Sequence, residues 1–255
     1  MNINTILDYI DFYLKEIYNI SKIGRLTEQI VNEKVYRGKF MKAYIREPIN
    51  GFTHLGGAIL SFIGLLALVI KTTLTSPNII NIAAVIIFGI SLILLYSASA
   101  TYHLVVSSDN VIAFLRKIDH SMIFILIAGS YTPFCLIGLK GIIGWIAFSV
   151  ISTIAICGVL FKMIWFNCPR WISTSIYIGM GWISIFIIVP LYNSIAFGGI
   201  VLLVLGGILY TIGAVIYGLK SRALKFKNLG FHEIFHIFIL LGSLAHFFAV
   251  FKYVI

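Results

Sequence analysis

Residues Phe231 to Phe238 read FHEIFHIF, with His232 and His236 four apart and Glu233 between them. On a helix, H-E-x-x-H aims two imidazoles at zinc and a carboxylate at a substrate water. Five residues are too few to choose between a metalloprotease, another kind of zinc site and two histidines at a helix end. The other polar residues have to decide. The chain carries six histidines, His54, His103, His120, His232, His236 and His246. In SASATYHL, Ser99 and His103 are four apart and share a helix face; in RKIDHSM, Asp119 precedes His120. Three neutral imidazoles and a water make an open, catalytic zinc sphere, and a nearby carboxylate can orient or deprotonate that water. His103, His232 and His236 can supply the imidazoles, and Asp119 the carboxylate. A protease of this type needs a further acidic ligand on a later helix, but no Asp or Glu follows His236. Proteolysis would have to recruit Asp119 from upstream.

Each of these residues also has a plainer reading. A lone histidine at a membrane helix end is ordinarily an interfacial hydrogen-bonder, the reading expected for His54 and His120. Asp119 can cap a helix beside snorkelling Arg116 and Lys117, and Ser99 can bond back to its own helix. The i,i+4 pair together with His103 goes beyond such readings, because three imidazoles meet at one end of the helices that must carry them.

Those helices are dictated by composition. Of 255 residues, 60% are hydrophobic and 11% charged, and the mean hydropathy is +1.02. A soluble domain carries roughly a quarter charged residues, so the chain is expected in a membrane. Runs of about 20 apolar residues, enough to cross the hydrocarbon core, fall near 52–70, 79–102, 119–139, 141–161, 172–190, 195–219 and 231–251. They predict an all-α membrane protein, a seven-transmembrane-helix bundle over residues 47–255. The break between the third and fourth spans rests on little more than Leu139, Lys140 and Gly141. No signal peptide is apparent over Met1 to Met41, so insertion is expected to rely on the internal spans. Cys135, Cys157 and Cys168 lack metal-ligand spacing and read as packing residues rather than a disulfide framework.

Of the 19 lysines and arginines, all but Lys71, Lys140 and Lys252 fall on one side if the N-terminus is inside. Positive charge collects on the cytoplasmic side, so the expected topology is N-terminus cytoplasmic and C-terminus outside. The net charge of +10 is then met by anionic head groups, with no nucleic acid required. In residues 1–46, Ile6, Ile10, Tyr13, Ile17 and Ile20 recur at helical spacing, which predicts a basic amphipathic helix on the inner surface or a solvated helix packed on its own loops. With this topology the ends holding His54, His103, His120, His232 and His236 are all cytoplasmic. His246 lies about 15 Å deeper along the last helix.

The residues resemble the progestin and adipoQ receptor superfamily, and within it the bacterial hemolysin III branch. The resemblance covers residues 47 to 255 and rests on Glu47-x-x-Asn50-x-x-Thr53-His54 ahead of the first span, Ser99-x-x-x-His103 ending the second, Asp119 opening the third and His232-x-x-x-His236 in the seventh. GSYTPF, with Gly129 and Pro133 expected to kink the third helix, also fits. The resemblance implies zinc on His103, His232 and His236, with Asp119 reaching it through water, Ser99 a neighbouring hydroxyl, and Glu47, Asn50, His54 and Glu233 nearby. It implies a zinc-dependent hydrolase of a lipid amide, ceramidase-like, or of an ester, with membrane lipids as substrate and a place in membrane homeostasis. The alternatives are a receptor or regulator with structural zinc and a cytolytic pore. Oligomeric state is open. Glu233, about 100° around the helix from His232, is expected to face head groups or Lys225 and Lys227.

Overall fold

The computed structural model describes residues 44–139, 141–220 and 229–255, together with Phe12, Tyr13, Lys15, Glu16, Tyr18, Asn19 and Lys22. The chain divides into two units, Met1–Arg46 and Glu47–Ile255. In the first, Phe12 through Lys22 are helical and exposed where described, and the rings of Phe12 and Tyr13 meet edge to face. Ile6, Ile10, Ile17 and Ile20 of the expected amphipathic stripe lie outside the described residues.

The second unit is all-helical. Among the described residues, seven helices are long and apolar enough to cross a membrane: α1 Pro48–Thr75, α2 Ile79–Leu104, α3 Asp109–Leu139, α4 Gly141–Ile164, α5 Arg170–Tyr192, α6 Phe197–Leu219 and α7 Phe231–Val254. Each expected span falls on one of them. The largest difference is at α3, which starts ten residues earlier than its apolar run. The added stretch, DNVIAFLRKI, has only five apolar residues in a row between Asp109 and Arg116–Lys117, so it forms helix without reading as membrane-spanning. Asp119 therefore sits well inside α3 and is not its N-cap.

Helix α3 is the axis of the bundle: 61% of its most apolar stretch is buried, against 17% for α1. Leu68, Phe88, Leu126, Leu203 and Val250 meet in one core among α1, α2, α3, α6 and α7. Phe124, Cys135, Ile151, Ala155 and Met180 form another among α3, α4 and α5. Lipid tails are as apolar as these side chains, so helix association depends on close packing and on small residues at the crossings. A Cβ on Gly129 would come within 2.1 Å of Ser91 Oγ, so α2 and α3 meet where only glycine fits. Gly57 of α1 is similarly pressed against Tyr96 of α2 and Leu240 of α7. Tyr96 in turn donates from its hydroxyl to Ser243 Oγ at 2.6 Å, which ties α2 to α7 just beneath the histidines. Toward the other end of α1, Lys71 Nζ donates to the Phe251 carbonyl.

The helix interruptions have identifiable causes. Pro133 has no N–H to give the carbonyl of Gly129, and the helix widens to a π-helical turn over Phe134–Leu139. The backbone is regular through Gly129 itself, which serves close approach rather than bending. Gly141 has φ +66°, a left-handed conformation that separates α3 from α4 and secures the boundary that the apolar runs left thin. Helix α5 breaks at Ile183 and Ser184, where the Tyr131 hydroxyl lies against the carbonyls of Met180 (3.0 Å) and Gly181 (2.6 Å). All three cysteines are free.

Candidate metal centre

His103, in the last turn of α2, and His232 and His236, in the first two turns of α7, come together at one end of the bundle. One ring nitrogen from each lies within 4.8 Å of the other two. The Nε2 atoms of His103 and His232 face each other at 3.4 Å. Two imidazole nitrogens bound tetrahedrally at the usual zinc distance stand about 3.4 Å apart, so this pair already has the separation an ion requires. His103 and His236 are buried and His232 is half-buried. The buried Nδ1 of His236 has no hydrogen-bond partner. Three imidazoles with an orphaned nitrogen among them suit a divalent metal of the zinc type.

Glu47, the residue before Pro48, orients the first of these ligands. Its Oε2 lies 2.7 Å from His103 Nδ1 and its backbone N–H donates to the His103 carbonyl at 2.9 Å. A carboxylate can only accept there, so it holds the proton on Nδ1 and leaves the Nε2 lone pair facing His232. Asn50 Nδ2 bridges Glu47 Oε2 at 3.1 Å and Glu233 Oε1 at 3.4 Å. Glu233 Oε2 accepts from the Gly230 N–H at 2.9 Å and closes the N-terminus of α7. One polar chain, Glu47–Asn50–Glu233, thus joins the start of α1, the end of α2 and the start of α7.

Behind the histidines an open-mouthed cavity runs into the bundle. His54, Ser99, Asp119, His120, His232 and His236 line its polar part, while Leu126, Ile127, Ile187, Leu203 and Val204 line apolar walls. Such a space suits one flexible apolar chain with its polar end at the imidazoles.

The Haemolysin-III related family matches residues 42–247, which include every residue of this cluster. The chain belongs to that family. It is 40% identical to Hemolysin-3 of Bacillus cereus over 228 residues, covering 88% of this chain and 98% of that protein. It is 38% identical to a Hemolysin-3 homolog of Bacillus subtilis (strain 168), over 82% of this chain and 95% of the relative. A human relative, Monocyte to macrophage differentiation factor, is 24% identical over 66% of this chain and 68% of its own length, in keeping with a place in the wider progestin and adipoQ receptor superfamily. The seven helices and this kinship make the chain a multi-pass membrane protein of the hemolysin III type.

Within this hemolysin III bundle the remaining expected residues take definite places. Ser99 and Asp119 are buried and line the same cavity as His232 and His236. Glu233 does not turn to the head groups, since its two oxygens engage Gly230 and Asn50; Lys225 and Lys227 lie outside the described residues. His54 is no interfacial hydrogen-bonder. It is 3% exposed, neither ring nitrogen has a hydrogen-bond partner, and its ring stacks on His236 at 3.6 Å and 10°. His120 faces the cavity too, near Phe166 and Tyr217. His246 Nε2, deeper, pairs with the Leu203 carbonyl at 3.1 Å. The tie from Glu47 to Asn50 was open to sequence reading, because positions i and i+3 share one helix face. The stacking of His54 on His236 was not, because it depends on how α1 crosses α7.

Proposed function

We propose that this protein is a zinc-dependent intramembrane hydrolase that cleaves an amide, ceramidase-like, or an ester bond of a membrane lipid. The observation that carries the proposal is the placement of Ser99 and Asp119 on the cavity wall shared with His232 and His236, at the polar end of an apolar space. Zinc held by His103, His232 and His236 would supply a Lewis acid for the scissile carbonyl and bring the pKa of water toward about 7. Asp119 then serves as general base toward that water and returns the proton to the leaving amine or alcohol. Ser99, a hydroxyl donor, hydrogen-bonds the acyl oxygen as negative charge develops there, a contribution of roughly 3 kcal/mol for one well-placed donor. Glu47 keeps His103 in one tautomer, and the apolar walls hold the acyl chain away from bulk water. The positive-inside distribution supports a cytoplasmic position for this end of the bundle, with substrate entering from the inner leaflet.

A second reading follows from the ligands' origin. His103 comes from α2 and His232 and His236 from α7, so an ion here also clamps two helices, as a non-enzymatic receptor or regulator would require. Structural zinc ordinarily takes four protein ligands, which would bring the Asp119 side chain onto the metal. Comparison of Asp119→Asn with His236→Ala separates the two. Unchanged thermal stability and retained zinc with lost lipid turnover in Asp119→Asn supports chemistry. A loss of stability equal to that of His236→Ala supports the clamp.

A further inference from the structure

The reaction just described leaves one wall of the cavity unused. Arg116 of α3, Lys162 of α4 and Arg170 of α5 all line it, and among the described residues Asp119 is the one carboxylate that does so. Lys162 is 2% exposed; its ammonium donates to Ser173 Oγ at 2.5 Å and approaches Cys168 Sγ at 3.6 Å, neither of them a carboxylate. Arg170 lies 5.2 Å over the Tyr217 ring, and its Nη1 is buried without a hydrogen-bond partner. Arg116 lies 5.2 Å over the Phe166 ring. Lys162 is buried and the two arginines are half-buried, and cations held so on rings and hydroxyls are costly unless an anion completes them. Helix α5 begins at Arg170, and Ser173 and Thr174, at the end of its first turn and the start of its second, also line the cavity, so the positive end of a helix adds to the same field.

We infer that Arg116, Lys162, Arg170 and the N-terminal turn of α5 form a binding subsite for the phosphate of an anionic lipid, whose acyl chain occupies the apolar part of the cavity. Three cations against one carboxylate leave an excess of about two positive charges. A phosphate monoester carries about −1.5 to −2 near neutral pH and has oxygens for several donors; a carboxylate would offset only one charge. The cations share one cavity with Leu126, Ile127, Leu203 and Val204, which favours a lipid over free phosphate. The assignment rests on the hydrolase reading only in naming the substrate class. Binding itself requires no turnover.

The test measures binding of dioleoyl phosphatidic acid to the purified full-length protein in detergent, beside dioleoylglycerol, oleate and inorganic phosphate. Phosphatidic acid is expected to bind at least about tenfold more tightly than the other three. Arg170→Gln and Arg116→Gln should each cost about tenfold in that affinity, and Arg170→Lys should recover part of it. Binding and turnover of phosphatidic acid are read on the same wild-type sample, so that binding without turnover separates failure of the hydrolase reading from failure of the subsite. Equal binding of dioleoylglycerol, or wild-type affinity in both Gln variants, overturns the subsite. Equal binding of oleate overturns the phosphate assignment, and equal binding of inorganic phosphate overturns the lipid.

Discussion

Glu47 shows how much of a metal site lies in residues that do not touch the metal. Its carboxylate, 2.7 Å from His103 Nδ1, fixes which nitrogen of that ring is free. Glu47→Gln removes the charge and is expected to weaken zinc binding about 10- to 100-fold, read by competition against a chromophoric chelator, with the fold retained. Glu233→Gln should behave differently. Glu233 accepts from Gly230 and Asn50 rather than from a ligand histidine, and a glutamine keeps one acceptor oxygen for the helix cap. The expected outcome is retained zinc and a stability loss of about 1 kcal/mol, measured by thermal denaturation. His103, His232 and His236 could be singled out from the sequence because two of them are spaced along one helix and the third ends another. His54 could be put near the site only through the resemblance, and its stacking on His236 is a tertiary relation that nothing in its own helix marks.

At the scale of elements, apolar runs of about 20 residues mark where helices cross, and all seven are found where such runs lie. What a run does not mark is an amphipathic extension. Asp109 to Ile118 belongs to α3 yet carries Asp109, Arg116 and Lys117, so Asp119 looked like a helix start while lying a few turns in. Gly129 was expected to bend α3. Its role is steric, set by the 2.1 Å that a Cβ would leave to Ser91 Oγ on α2. Gly129→Ala should therefore destabilise the protein by about 1–3 kcal/mol, and Ser91→Gly in the same chain should recover most of the loss, a coupling that thermal denaturation of the two single variants and the double variant measures.

For the whole molecule, charge and cavity point the same way. With the N-terminus inside, only Lys71, Lys140 and Lys252 of the 19 basic residues fall outside. The histidine end of the bundle, with Arg116, Lys162 and Arg170 around its cavity, then faces the inner leaflet. A cysteine placed at Lys252 in a chain whose own cysteines are replaced by serine should be labelled by an impermeant maleimide on intact cells, and one placed at Lys220 should not; the reverse pattern inverts the topology. The central claim, that the histidine cluster is the zinc centre of a lipid hydrolase, is tested most directly by measuring zinc content and lipid turnover on the same purified samples of wild type, His236→Ala and Asp119→Asn. The substrates are amide- and ester-linked lipids with and without a phosphate. The account predicts about one zinc per chain and measurable cleavage in wild type, neither in His236→Ala, and retained zinc with turnover down about 100-fold or more in Asp119→Asn. Zinc-loaded wild type that cleaves none of these lipids, or Asp119→Asn that cleaves them at the wild-type rate, would contradict it.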